Sequence, residues 1–245
     1  MDTNFFSENG YVVLNLKQYL SNEDLISYID LLNKFELNLD NIKSDVNFLR
    51  INFDISTFDI IDSDFIKELH NKKYVTYSDY LKLVEINKKY NIDKLGYFNF
   101  MLTSSQRIDD IKYYTNKVYK KILKEFYNLD IPENVNTLNG HMNVYPKHSF
   151  INKHVDGISD AILSTTIFFL NTGRKYEDGS ILVVYDKNGK KIEILPDYTN
   201  IVILNHTNIN LEHEVTENLV DDIRLSLYNP LDKNYIYNPL VFNYL

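Results

Sequence analysis

Near residue 136 the chain changes rhythm. Upstream, apolar residues recur at helical spacing. Downstream they alternate in eight short segments at about 138–145, 150–154, 161–170, 180–186, 190–195, 200–205, 211–216 and 222–229. A period of two sends successive side chains to opposite faces of a sheet. Turn residues separate the segments, with Asp178-Gly179 and Asn188-Gly189 the clearest and the second a tight-hairpin signal. Eight strands at this spacing suit a double-layer jelly roll, which closes sheet edges simply in a small all-β core. The expected fold is therefore mainly β with a helical N-terminal part: a double-stranded β-helix (jelly roll) core braced by helices.

The first 135 residues read as that brace. Gly10-Tyr-Val-Val-Leu-Asn-Leu16 predicts a strand after a glycine break. Ser21, with Asp24 three residues on, predicts a helix start, and Leu25, Ile29 and Leu32 share a face. Residues 40–61 stay ambiguous, with short apolar runs broken by Asp and Ser. Helices are expected at about 63–71, 78–90 and 105–128, the last from Ile108, Ile111, Tyr114, Val118, Ile122 and Phe126. Its other face carries Lys112, Lys117, Lys120, Lys121 and Lys124, which suits a solvated helix side better than a surface for an acidic partner. No Pro/Gly-rich linker divides the chain, so residues 1–245 are expected to form one domain, with 1–135 as support and 136–245 as the core.

Composition narrows the function classes. A net charge of −8 and a pI near 5.3 argue against a nucleic-acid backbone as partner. The absence of cysteine excludes disulfides and zinc–thiolate sites and suits a reducing compartment. The N-terminus lacks the basic and apolar regions of a signal peptide, and no apolar run is long enough to span a bilayer. A cytoplasmic protein without a membrane partner is expected; oligomeric state is left open.

Within the alternating region, His154 and Asp156 leave an extended backbone on the same face. Two histidines lie downstream, His206 at the end of Ile201-Val202-Ile203-Leu204, and His213 in Glu212-His213-Glu214-Val215. Two His and one carboxylate form a facial triad that holds non-haem Fe(II) and leaves the other coordination positions open. Arg224-Leu225-Ser226 follows, with Arg224, Ser226 and Tyr228 expected inside the barrel and Ile223, Leu225 and Leu227 outside. An inward Arg beside such a site suits a dicarboxylate, because its planar fork matches a carboxylate bidentately. The competing partners for Arg224 are Asp221 and Asp222 across the turn. The loop from Asn171 to Gly179, with Arg174, Lys175 and Tyr176, is expected to be an exposed basic loop near the barrel mouth.

In this order the motifs resemble the 2-oxoglutarate- and Fe(II)-dependent oxygenases, in particular their prolyl-hydroxylase-like branch. The matching text is Tyr145-Pro146-Lys147-His148-Ser149-Phe150-Ile151-Asn152-Lys153-His154-Val155-Asp156, Thr166-Ile167-Phe168-Phe169-Leu170-Asn171, Asp178-Gly179-Ser180-Ile181-Leu182, His213-Glu214-Val215 and Arg224-Leu225-Ser226. The resemblance covers the chain from about residue 140 onward. It implies Fe(II) on His154, Asp156 and His213, with His213 preferred over His206 because an acidic residue and Val follow it. It implies 2-oxoglutarate as co-substrate, held by Arg224 and Ser226, with Tyr145 and, more weakly, Asn143 as further contacts. O2 is then the oxidant and ascorbate a supporting reductant. The implied reaction is hydroxylation of an unactivated C–H bond on an amino-acid-like small molecule or a peptidyl side chain. Two departures stand out: His148 occupies a position where relatives often have Gly, and Phe169 one where some carry a co-substrate-binding Tyr. His70, His141 and His148 are expected to be structural or surface residues.

Two other classes compete. A non-catalytic, cupin-like jelly-roll module binding a metal or ligand would need neither the full triad nor Arg-x-Ser. An interaction protein would carry its function in residues 1–135, where no motif supports it.

Overall fold

The computed structural model describes residues 6, 8–35, 43–45, 64–72, 74–90, 98–101, 109–138, 140–156, 162–207 and 211–233. All eight expected core strands form: β5 (His141–Tyr145), β6 (Ile151–His154), β7 (Ile162–Phe169), β8 (Leu182–Tyr185), β9 (Lys191–Ile194), β10 (Asn200–Asn205), β11 (His213–Val215) and β12 (Arg224–Asp232). They divide into two antiparallel layers. The minor sheet has the order β6-β11-β8-β9. The major sheet contains β10-β7-β12-β5 and is extended at its ends by β1 (Tyr11–Asn15) beside β10 and β4 (Phe98–Met101) beside β5. The N-terminal part thus contributes strands as well as helices, and β4 is one that periodicity does not reveal.

The helical expectations hold within the described residues. Ser21 caps α1 (Asn22–Lys34) by accepting from Asp24 N at 3.1 Å, satisfying one of the amides that every helix start leaves unpaired. Then come α2 (Asp64–Asn71), α3 (Tyr77–Tyr90) and α4 (Asp109–Tyr127). Helix α4 ends at Asn128, whose φ of 54° reverses the chain, while Leu129 N returns to Leu123 O; Asn tolerates this left-handed geometry better than most residues. Of the ambiguous 40–61 stretch, Lys43–Asp45 forms β2, paired with β3 (Tyr74–Thr76); the remainder lies outside the described residues.

The major sheet separates two apolar cores. On its outer face Met142, Val144, Phe168, Ile201, Ile203 and Leu227 pack with Tyr28 and Leu32 of α1 and Ile111, Val118, Tyr119, Ile122 and Leu123 of α4. On its inner face Tyr145, Ile167, Phe169, Val202 and Leu204 meet Leu182, Val184, Ile194, Leu211 and Val215 across the barrel. Strand alternation accounts for the division, since Phe168 faces the helices and Phe169 the barrel.

The lysines of α4 are engaged locally rather than displayed. Lys117 pairs with Asp24 at 2.6 Å, Lys112 with Asp109 at 3.6 Å and Lys124 with Asp130 at 3.2 Å. Lys120 donates to the carbonyls of Pro132 and Glu133, and Lys121 to that of Tyr19. No described helix is long and apolar enough to cross a membrane.

Candidate metal centre

Strands β6 and β11 pair so that His154 and His213 stand directly opposite, and their rings lie 4.3 Å apart. The backbone fixes the sense of both rings. His154 Nδ1 lies 2.8 Å from Asn152 O and His213 Nδ1 3.1 Å from Leu211 O. A carbonyl only accepts, so each Nδ1 carries the proton and each Nε2 presents its lone pair to the barrel interior. Asp156 follows β6 directly. Its Oδ1 is 3.6 Å from His154 Nε2 and its Oδ2 is 3.7 Å from His213 Nε2, which puts the carboxylate within reach of an ion that the two imidazoles would share at about 2.0–2.2 Å. His154, Asp156 and His213 are the metal-competent cluster among the described residues.

His206 is the alternative that sequence set behind His213. It approaches Asp156, with Nε2 at 3.7 Å from Oδ2, but Nε2 also bonds Thr165 Oγ1 at 2.8 Å. His206 therefore stands beside the cluster, and His213 closes it.

The electrostatics follow from this enclosure. Burial alone would raise the Asp156 pKa. The neighbouring imidazoles of His154, His213 and His206 outweigh burial and hold the carboxyl far below its usual range. Burial lowers the pKa of His213 and of His206 despite Asp156, whereas His154 is raised because its contacts with Asp156 and Asn152 O outweigh burial. The site is thus one ionised carboxylate among imidazoles, a donor set suited to a divalent first-row metal.

The major sheet supplies the facing wall in cross-strand rungs. Arg224 of β12 opposes Tyr145 of β5, Ser226 opposes Asn143, and Tyr228 opposes His141. Phe169 lies beside Ser226 on β7, and Ile167 beside Tyr228. Arg224, Ser226 and Tyr228 share the inner face as strand parity requires, and Leu225 and Leu227 pack on the helix side. Arg224 is 1% exposed. Its guanidinium carbon sits 4.1 Å from the Tyr145 ring centre and 5.2 Å from that of Phe169, and its Nε and Nη1 have no hydrogen-bond partner among the described residues. The nearby acids are already taken: Asp221 pairs with Lys147 at 3.1 Å and Asp222 with Arg174 at 3.4 Å. Burial depresses the Arg224 pKa, opposed by Tyr145. Asn143 Oδ1, also buried, likewise has no partner among the described residues. An unpaired buried cation is costly, and such a position is maintained when a ligand supplies the anion.

Phe169 therefore brings a ring face to Arg224 where a tyrosine would bring a hydroxyl. The other departure has a backbone reason. His148 has φ 68°, a left-handed conformation in which glycine is unstrained. Its amide bonds Asn218 O at 2.7 Å and its Nδ1 lies 2.6 Å from Glu217 Oε1, which offsets the strain. His148 acts as a loop tether, remote from the triad in role.

The loop from Asn171 to Gly179 corrects the sequence reading. Arg174 is 4% exposed, not displayed to solvent. It donates to Asn218 Oδ1 at 2.9 Å and to Asp222 O at 3.1 Å. Asn218 in turn donates to Tyr145 O and Asp222 O, so it ties the end of β5 to the residues that lead into Arg224. Gly179 lines this junction with φ 72°, and a Cβ there would stand 2.0 Å from Glu217 O. Sequence reasoning missed this Arg174–Asn218 clamp, because a basic loop with Lys175 and Tyr176 carries no sign that its arginine is buried. It also gives no role to Thr165 and reads His141 as a structural or surface residue. His141 stacks on Tyr228 at 4.9 Å, and burial, opposed by Asp156, pushes its pKa down to about 4.

No protein-family model and no curated protein matches the sequence. Solved structures do match across nearly the whole chain. A prolyl-4-hydroxylase from Pseudomonas putida aligns with a TM-score of 0.51 and 14% identity, over 94% of this chain and 96% of that one. A prolyl hydroxylase from Trichoplax adhaerens, in complex with a peptide fragment of the hypoxia-inducible factor oxygen degradation domain, gives 0.54 and 13%, over 96% and 88%. The non-haem, α-ketoglutarate-dependent epimerase SnoN of nogalamycin biosynthesis gives 0.51 and 9%, over 92% and 79%. At these identities the likeness is one of architecture. The two-layer barrel, with its helices against the major sheet, is the jelly-roll fold of the 2-oxoglutarate/Fe(II) oxygenase structures.

Proposed function

We propose that this chain is an Fe(II)- and 2-oxoglutarate-dependent dioxygenase that hydroxylates an unactivated C–H bond of an amino-acid-like small molecule or a peptidyl side chain. The observation that carries the reading is the pairing of two features in one barrel. A His-Asp-His cluster presents two Nε2 lone pairs and a carboxylate, and a buried arginine on the facing sheet has no acidic partner among the described residues. Each fits a part of the cofactor set, and together they fit better than a binding module requires.

His154 Nε2, the Asp156 carboxylate and His213 Nε2 would hold Fe(II); Arg224 and Ser226 would hold the distal carboxylate of 2-oxoglutarate, with Tyr145 and Asn143 beside it. When bound, Fe(II) and 2-oxoglutarate supply O2 activation coupled to oxidative decarboxylation, one oxygen atom ending in succinate and the other in the hydroxylated product. Ascorbate would serve as the supporting reductant. The chain's own part is orientation and exclusion of water. The Tyr145 and Phe169 rings cover the guanidinium, so its bonds to a carboxylate form in a dry pocket where they are strong. Asp156 matters to outcome, because a carboxylate there occupies the position that a halide would need. We read residues 1–245 as one domain, since β1 and β4 complete the sheet that carries Arg224. Small-molecule and peptidyl substrates both fit the reading, and one of the similar prolyl hydroxylases holds a peptide. A cytoplasmic setting suits the cysteine-free composition.

The test is succinate formation by the full chain with Fe(II), 2-oxoglutarate and ascorbate over a panel of amino acids and peptides, against Asp156→Ala. The expected outcome is substrate-stimulated succinate from wild type and none from the variant, because two histidines alone fix neither the ion nor its geometry. Wild-type protein that binds both cofactors yet never exceeds the Asp156→Ala background would point instead to a cupin-like binding module.

A further inference from the structure

Asp156 Oδ2 receives more than the triad requires. Tyr228, reaching from β12 on the opposite sheet, donates its hydroxyl to Oδ2 at 3.1 Å. Thr165 Oγ1 of β7 bonds the Tyr228 hydroxyl at 2.9 Å and lies 2.8 Å from His206 Nε2. Thr165 is fully buried, and the His206 side chain is 11% exposed. Residues 156, 165, 206 and 228 thus form one continuous chain that crosses the barrel.

The sense of that chain follows from proton counting. An ionised carboxylate only accepts, so the Tyr228 proton goes to Asp156. Tyr228 must then accept from Thr165, which spends the one Thr165 proton. Thr165 Oγ1 is left as an acceptor, and its remaining neighbour, His206 Nε2, has to carry a hydrogen. Every bond points toward Oδ2, and bonds aligned in this way polarise one another.

We propose that Tyr228, Thr165 and His206 are positioning residues that engage Asp156 Oδ2 and leave Oδ1, which faces His154 Nε2, as the single oxygen presented to a metal. The inference rests on the metal site proposed above and deepens it. It assigns His206 a definite role, because an Nε2 that carries a proton toward Thr165 has no lone pair for an ion. It also explains why a second histidine can sit 3.7 Å from the same carboxylate without entering the triad. Outer hydrogen bonds of this kind orient ligands and raise metal affinity by about 10–100-fold.

Anaerobic titration of the full chain with Fe(II), and with Co(II) as a spectroscopic probe, tests this. Tyr228→Phe keeps the ring against His141 and removes only the hydroxyl. The expected result is a Kd for either ion raised by about tenfold or more, together with a changed visible spectrum of the Co(II) form as Asp156 becomes free to chelate. A purely structural role for Tyr228 would shift the melting temperature and leave that spectrum alone. Thr165→Val breaks the chain at its middle with almost no change of volume and should weaken binding in the same direction. His206→Gln still offers an N–H at similar reach and should stay within about twofold of wild type, whereas His206→Leu should behave like Thr165→Val. Wild-type affinity and spectrum in Tyr228→Phe and Thr165→Val would overturn the proposal. So would His206→Gln losing metal as completely as His213→Ala, since His206 would then be a ligand. Failure of the wild-type chain to take up one equivalent of either ion is a different result. It would sink the metal-site reading itself, and this inference with it.

Discussion

The two faces of the major sheet are built from the same strands to opposite ends. Its outer face, with Met142, Val144, Phe168, Ile203 and Leu227 against α1 and α4, is apolar and closed. Its inner face holds Arg224, Ser226, Asn143, His141, Tyr228 and Thr165 in register. Residues one apart in sequence differ completely in role: Phe168 meets Tyr119 edge-on at 6.4 Å, while Phe169 covers a guanidinium. The lesson is that strand parity keeps the helix side largely apolar and places the site's polar residues on the barrel side, beside a second apolar core. The outer face supplies apolar burial, while the inner face keeps a buried charge that is unpaired among the described residues.

Substitutions on either face can break or sharpen this contrast. The largest effect is expected for Phe168→Ala, a cavity in the outer core costing about 3–5 kcal/mol in chemical denaturation, with 2-oxoglutarate affinity of the folded fraction unchanged. A loss of affinity that precedes any loss of stability would collapse the distinction. Next is Arg224→Ala, which removes a charge-assisted bidentate contact. Titration calorimetry should show 2-oxoglutarate binding weakened by more than about tenfold, with Fe(II) affinity little altered and stability maintained. Unchanged 2-oxoglutarate affinity would remove Arg224 from the site.

A smaller effect comes from His141 on the inner face. Its pKa in the folded chain is pushed down to about 4, below the ordinary histidine value of 6.5. The folded state therefore favours the neutral ring. The associated stability is fully present above pH 6.5 and is lost as pH falls through about 4. His141→Gln should flatten the stability–pH profile there, measured by urea unfolding at a series of pH values; an unchanged slope would place the titrating group elsewhere. The smallest effect is expected for Ser226→Ala, where loss of one neutral donor should weaken 2-oxoglutarate by roughly fivefold. No change would leave the distal carboxylate to Arg224 alone.

What sequence made legible was periodic or local. All eight core strands, the Ser21 cap and the inward set of Arg224, Ser226 and Tyr228 follow from alternation and turn chemistry. The preference for His213 over His206 rests in sequence on the residues that follow His213, whereas the physical ground for it in the fold lies elsewhere. It depends on the contact of His206 with Thr165, which joins neighbouring strands far apart in sequence. Strand β4 lies outside the alternating region and forms by pairing with β5 about forty residues later, a contact that local pattern does not reveal. Arg174 was misjudged because its burial depends on Asn218 and Asp222, which the fold brings back to it from beyond the barrel.

One further consequence concerns β6. It has four residues, lies at the edge of the minor sheet, and pairs with β11, a strand of three residues whose register shifts between His213 and Val215. A ladder this short opens readily, and its amides should exchange with solvent deuterium faster than those of the central strands. Yet His154 and His213 face each other across it. An ion held between them would act as a rivet through the frailest seam of the barrel, slowing exchange in 151–154 and 213–215 while the already protected strands of the major sheet scarcely change. Occupancy of the site and closure of that seam would then be a single event, seen from two sides.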